Sequence, residues 1–256
     1  MSTGGLVSFE DRWIIVSGAS SGIGRAVSVL LVAQGARVVL MGRDVDRLGE
    51  TAQLAGPAER TLMCPLDLAD LHAIVPAVRA LVEKTGRLYG LCHCAGLSQT
   101  LPLAATRPDR VRALMDVNFQ AGLELSRALV ERSVLAEQGG SVLWISSVYA
   151  HVGAPGQIAY CATKGAIGAA VRAMALELAP RRVRVNSVSP GLVKTEMTSA
   201  AGSRMTTEQW ARIEALHPLG FGSAQDVARA AGFLLDPLNA WITGADLVID
   251  GGYSLQ

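Results

Sequence analysis

The stretch Trp13–Gly24, WIIVSGASSGIG, decides how the rest of the chain is read. A short β-branched run, WIIVS, passes directly into Gly18-Ala19-Ser20-Ser21-Gly22-Ile23-Gly24 and then into the apolar stretch AVSVLLVAQG. The order is strand, glycine turn, helix. Glycine permits a tight turn and a close backbone approach, and the N–H groups of the following helix turn favour an anion there. Gly18, Ser20, Ser21, Gly22, Ile23 and Gly24 are therefore candidates for holding a dinucleotide pyrophosphate. The spacing is GxxxGxG rather than GxGxxG, and a glycine-rich turn alone is a weak signal. A plain βα turn is the competing reading, disfavoured by the order of the elements.

Outward from that turn, β-branched runs alternate with helical patterns. RVVLM at 37–41, LYGLCHC at 88–94, SVLWISS at 141–147, RVRVNSVS at 182–189 and DLVID at 246–250 read as strands. Between them lie helical stretches around 69–85, 110–138 and 158–179. Continuous apolar strands separated by helices predict an α/β fold, a Rossmann-like doubly wound parallel sheet with helices on both faces. Without a Pro-, Gly- or Ser-rich linker or a repeat, residues 1–256 read as a single domain. The least regular segment, 190–222, follows a strand, and about 192–220 is expected to form a flexible substrate lid.

Composition narrows the function. Of 256 residues, 23 are basic and 22 acidic, a formal charge of +1, which disfavours a nucleic-acid or membrane-surface partner. No stretch has the length of apolar sequence a membrane span needs, and MSTGGLVSFEDR lacks a leader pattern, so a cytoplasmic protein is expected. Four cysteines are too few for a disulfide framework in a chain this long. Cys92-His93-Cys94 has no second ligand pair at a zinc-like spacing, so no metal is expected.

The helix AYCATKGAIGAAVRAMALELA, 159–179, places Tyr160 and Lys164 one turn apart, where phenol and ammonium share a face. A tyrosine half-buried beside a snorkelling lysine is the bland alternative. The pairing is less expected by chance because the chain has only three lysines against twenty arginines. Tyr149 is the rival, but Gly153 stands where its cation would be.

Taken together, these motifs resemble the classical short-chain dehydrogenase/reductase family along nearly the whole chain. SGASSGIG looks like its cofactor turn, with Ser17 where threonine is usual. Asp67 in LDLAD, with Leu68 beside it, matches the adenine-contacting position. Asn118 in DVNFQA, Ser147 thirteen residues before Tyr160, and Tyr160-x-x-x-Lys164 match the catalytic set. Ala95-Gly96 matches the chain that lies close to the cofactor. SPGLVKT, with Pro190, Gly191, Val193 and Thr195, is similar to the segment that closes over the nicotinamide.

The resemblance implies that Tyr160 exchanges a proton with the substrate oxygen, Ser147 holds that oxygen, and Asn118 anchors a water leading to Lys164. Lys164 would lower the pKa of Tyr160 and, with Tyr160, contact the nicotinamide ribose. One departure is His93-Cys94, where two asparagines are common; a thiol is a poorer hydrogen-bonding group, and His93 reads as a packed residue rather than a base.

After the second strand come Gly42-Arg43-Asp44. NAD-using relatives tend to carry a carboxylate where Gly42 stands, whereas the Arg43 guanidinium suits a 2′-phosphate. NADP(H) is therefore favoured over NAD(H); Asp44 as a helix cap with Arg43 merely solvated is the alternative. Candidate substrate-wall residues are Ser98, Val148, His151, Val152, Gln157, Met197 and Trp210. The resulting expectation is an NADP(H)-dependent carbonyl reductase or alcohol dehydrogenase, with a 3-oxoacyl-thioester reductase within range. An NAD-dependent alcohol dehydrogenase, an epimerase with a tightly held cofactor, or a non-catalytic nucleotide-binding regulator are the other readings. A homotetramer, with a dimer as the lesser form, is expected from apolar helices at 110–137 and 158–179 and from a C-terminal DGGYSLQ reaching another copy.

Overall fold

In the computed structural model, which describes residues 9–196, 198 and 206–255, the first strand is β1, Trp13–Ser17. Helix α1, Gly22–Ala33, follows the glycine turn, then β2, Arg37–Gly42, and α2, Val45–Ala55. Next come β3, Thr61–Pro65, α3, Leu71–Thr85, and β4, Gly90–His93. Helix α4, Pro108–Met115, runs through a π turn, Asp116–Gln120, into α5, Ala121–Leu129. Strand β5, Gly140–Ile145, leads to α6, Ile158–Leu178, and β6, Val183–Pro190. The chain ends with the short β7, Val193–Lys194, α7, Thr207–Ala215, β8, Gly222–Ser223, α8, Ala224–Leu235, and β9, Asp246–Ile249.

Seven strands form one parallel sheet in the order β3-β2-β1-β4-β5-β6-β9. Chain order reverses between β1 and β4. In open α/β sheets the ligand crevice lies outside the carboxyl ends of the strands at that reversal. Two apolar cores flank the sheet, as a parallel sheet buried on both faces requires. Residues of α3, α5 and α6 bury one face around Trp144, and those of α1 and α8 bury the other around Phe9, Leu31 and Leu143.

Two details depart from the sequence reading. The strand β3 has no counterpart there, because TLMCP is a partly exposed edge strand ending in proline. The single helical stretch at 110–138 is α4, a π turn and α5. Helix α6, read as apolar along 158–179, buries in the single chain one stripe, Ala159, Thr163, Lys164, Ile167, Val171, Ala175 and Leu178, while Leu176 on the outer face is 81 % exposed.

Candidate active site

A cleft of about 550 Å³ opens at the carboxyl ends of β1, β2 and β4. Gly18, Ser20, Ser21, Gly22, Ile23, Gly24, Arg43, Asp67, Leu68, Ala95, Gly96 and Thr195 all line it. The glycines are dictated by steric room. Gly18 has φ +67°, and a Cβ on it would stand 2.8 Å from Ala95 N. A Cβ on Gly24 would overlap the carbonyl of Gly18, so α1 meets β1 only if that position is bare. This is a backbone cradle at a helix N-terminus, and it fits the pyrophosphate of a dinucleotide. A larger cavity, about 970 Å³, lies at the amino ends of β1, β2, β5 and β6, among Arg37, Arg87 and Trp241, and holds none of the motif residues.

Ser17 joins β1 to β4 across the reversal. Its Oγ meets His93 Nδ1 at 2.8 Å and accepts from Ala95 N at 3.3 Å. His93 is 1 % exposed, packs edge-on to Trp144 at 5.6 Å, and is pulled down to about 3, first by burial and then by the charge of Lys164. It is neutral and structural. The Ser17–His93 contact ties β1 to β4 beside the His93-Cys94 departure.

At the inner end of the cleft, a Cβ on Gly96 would meet Asn118 Oδ1 at 3.4 Å and Lys164 Nζ at 3.8 Å. Asn118 sits in the π turn, a distortion frequent at functional sites. It accepts from Leu97 N at 2.6 Å and donates to Leu97 O at 2.9 Å and to Thr163 Oγ1 at 3.0 Å. That clamps the chain after β4 to α6, and the side chain has no bond to Lys164. Ser147 ends the loop from β5, and its Oγ accepts from Tyr149 N at 3.2 Å.

Lys164 Nζ donates to Ile145 O at 2.7 Å and lies 5.6 Å from the centre of the Tyr160 ring. Burial lowers its pKa to about 8. Tyr160 is pushed up to about 12 by burial, with a hydrogen bond from Ser147 opposing the shift. The expectation that Lys164 holds the phenol below its ordinary value is corrected here: burial dominates, and the ammonium is bonded to a carbonyl. The phenol is therefore neutral at physiological pH.

Pro190, Gly191 and Val193 lie beyond the cleft lining, in the strand ends behind it. A Cβ on Gly191 would stand 2.8 Å from Asp250 Cα, and Val193 is core. Asp67 is exposed and accepts from Ala69 N at 3.0 Å. Arg43 is exposed and has no partner among the described residues, while Asp44 accepts from Arg47 N at 3.1 Å as the cap of α2.

The substrate-wall candidates are dispersed. His151 pairs with Asp246, with Nε2 2.6 Å from Oδ2. Asp246 also accepts from Ser187 and Ser189. Gln157 donates to Thr100 Oγ1 at 2.8 Å, Val148 is buried, and Ser98 is exposed. Met197 lies outside the described residues.

Trp210 belongs to an aromatic group unforeseen in the sequence. It meets Phe221 at 5.0 Å, Phe221 meets His217 at 5.1 Å, and His217 stacks on Tyr253 at 4.7 Å. Tyr149 stands edge-on to Tyr160 at 6.2 Å. Tyr253 thus packs on His217 of its own chain. Glu196 is a second omission: it pairs with Arg47 at 3.2 Å across the mouth of the cleft.

A family profile described as Enoyl-(Acyl carrier protein) reductase matches residues 18–254. The chain is 34% identical over 242 residues to Carbonyl reductase family member 4 of Xenopus tropicalis, covering 94% of this chain and 97% of that protein. It is 32% identical over 246 residues to a 3-oxoacyl-[acyl-carrier-protein] reductase of Bos taurus, covering 96% and 99%. Among solved structures, a putative NAD(P) dependent gluconate 5-dehydrogenase from Beutenbergia cavernae with bound NADP superimposes with a TM-score of 0.91 at 32% identity, covering 98% of this chain and 100% of that one.

Proposed function

The chain belongs to the short-chain dehydrogenase/reductase family and is an oxidoreductase, and from that premise we propose that it reduces a ketone or aldehyde with NADP(H), Tyr160 delivering the proton. The observation that carries this reading is that Tyr160 stands against both Lys164 and Ser147, and that Lys164 lies beside Gly96, a wall residue of the cleft that also holds the glycine cradle. A bound nicotinamide dinucleotide supplies the hydride. The residues of this chain do the rest. Gly18, Gly22 and Gly24 leave room for the pyrophosphate, and Arg43, free of other partners among the described residues, offers its guanidinium to a 2′-phosphate. Ser147 directs its hydroxyl at the carbonyl oxygen. Tyr160, kept neutral by burial, donates to that oxygen as negative charge develops on it.

Asp44 caps α2, so its carboxylate is directed at a backbone N–H rather than at a ribose. This supports NADP(H) over NAD(H). The aromatic group around Tyr253 and Phe221 suits a partly apolar carbonyl compound, and a 3-oxoacyl thioester, named for the bovine relative, fits that description. The segment at about 192–220, which carries Glu196 and Trp210 and of which 197 and 199–205 lie outside the described residues, is the substrate lid in this reading. The protein works in the cytoplasm as a homotetramer in which the open faces of α5 and α6 pair between copies. Light scattering tests the last point: a mass near the 26.8 kDa of one chain contradicts it.

NADPH oxidation followed by absorbance, over a panel of keto-esters, cyclic ketones, keto-sugars and acyl thioesters, tests the reaction. Turnover of at least one class supports the proposal. Tight NADPH binding by fluorescence with no turnover of any class would favour a nucleotide-binding regulator.

A further inference from the structure

Cys92 and Cys94 are two residues apart at the end of β4, so their side chains lie on the same face of the strand. Their sulfurs are 3.4 Å apart. Cys92 is fully buried, between β1 and β5, while Cys94 is partly exposed and lines the cleft beside Gly18 and Ala95. A partly exposed thiol facing a cleft, with a second thiol in contact behind it, is the arrangement of an oxidisable cysteine and its resolving partner.

We propose that Cys94 is a site of hydroperoxide oxidation resolved by Cys92 as a disulfide within the cleft wall. Cys94 Sγ attacks one oxygen of the hydroperoxide; the O–O bond breaks, and a sulfenic acid and one molecule of water or alcohol result. Cys92 Sγ then attacks the sulfenic sulfur. The S–S bond forms as the S–O bond breaks, and the hydroxide leaves with the Cys92 proton as water. Two thiols are oxidised and one peroxide is reduced. The hydrogen bond with Cys94 and burial both favour Cys92 as the thiol, so it gives up its proton in the resolving step.

The bond has a structural consequence. A disulfide needs its sulfurs about 2.05 Å apart, so one residue must move. Cys92 is fixed, with residues of β1 and β5 paired on either side. Cys94 lies just past the strand end and carries Ala95, whose N donates to Ser17 Oγ and touches the space over Gly18. Closing the sulfur gap therefore displaces the wall against which the dinucleotide lies. This part rests on the function proposed above.

The test treats the full-length protein with hydrogen peroxide, with and without NADPH, and then with dithiothreitol. The expected result is a tryptic peptide beginning at Leu88 that is lighter by two hydrogen atoms, two fewer titratable thiols, slower formation when NADPH is bound, and reversal by dithiothreitol. The oxidised protein should bind NADPH at least several-fold more weakly. Cys92→Ala should keep reductase activity, form no disulfide, and leave Cys94 as a sulfenic acid trapped by dimedone. A peptide of unchanged mass, or one carrying only sulfonic acid, overturns the pair; a disulfide with unaltered NADPH affinity overturns its effect on the cleft. Failure of the reduced protein to bind NADPH counts against the proposed cofactor alone, because the mass measurement needs none.

Discussion

The two ends of the cleft are built on opposite terms. At the inner end Lys164 is buried and Tyr160 half-buried, their pKa values displaced to about 8 and about 12, and Lys164 is held by Ile145 O of β5. At the outer rim Arg43 and Asp44 are exposed, and the one structural bond is the helix cap. Burial makes an interaction with a developing charge strong and the loss of a group severe; exposure leaves a contact screened by water. The inner end thus suits proton transfer and the rim suits a choice between cofactors.

The contrast is tested most severely by Tyr160→Phe. General acid catalysis contributes roughly 10²–10⁴-fold, so kcat should fall by about that factor on a good substrate. NADPH affinity by fluorescence titration should hardly change. More than a tenth of wild-type kcat would remove Tyr160 from the proposed role.

Lys164 is next. Its folded pKa, about 8, lies below its ordinary value of 10.5, so folding disfavours the ammonium form. The cost is fully present below pH 8 and is relieved as pH rises toward 10.5, and a shift of that size corresponds to on the order of 3 kcal/mol. Lys164→Met should therefore raise Tm at pH 7, with the gain shrinking by pH 10, while activity is lost. An unchanged or lower Tm at pH 7 would mean the lysine is not strained by burial.

At the rim the effect is smaller and selective. Losing a charge-assisted hydrogen bond costs roughly 1.5–3 kcal/mol before solvent screening. Arg43→Ala should raise the KM for NADPH at least several-fold and leave that for NADH nearly unchanged. Equal loss with both cofactors would make Arg43 a structural residue.

Legibility in the sequence follows the same division. The turn at 18–24 is readable because the backbone itself requires glycine: a side chain at Gly18 or Gly24 would strike Ala95 or the Gly18 carbonyl. Tyr160 and Lys164 are readable because one helical turn fixes their spacing. What long-range packing decides was hidden. Nothing local says that Lys164 bonds Ile145 O, that His151 turns to Asp246 95 residues away, or that Arg47 reaches Glu196 across 149 residues. The strand β3 was missed because an exposed edge carries no continuous apolar run, and the π turn because an extra residue in a helical turn leaves no period to detect.

The most direct test of the central claim, that a neutral Tyr160 is the acid, is the pH dependence of kcat for carbonyl reduction at saturating NADPH. With the phenol held near 12 by burial and His93 near 3, neither changes state between pH 6 and 8. The rate should stay level from pH 6 to about 7 and fall to about half near pH 8 as Lys164 loses its proton. A rate that instead halves near pH 6.5, the ordinary range of a histidine acid, would contradict the account.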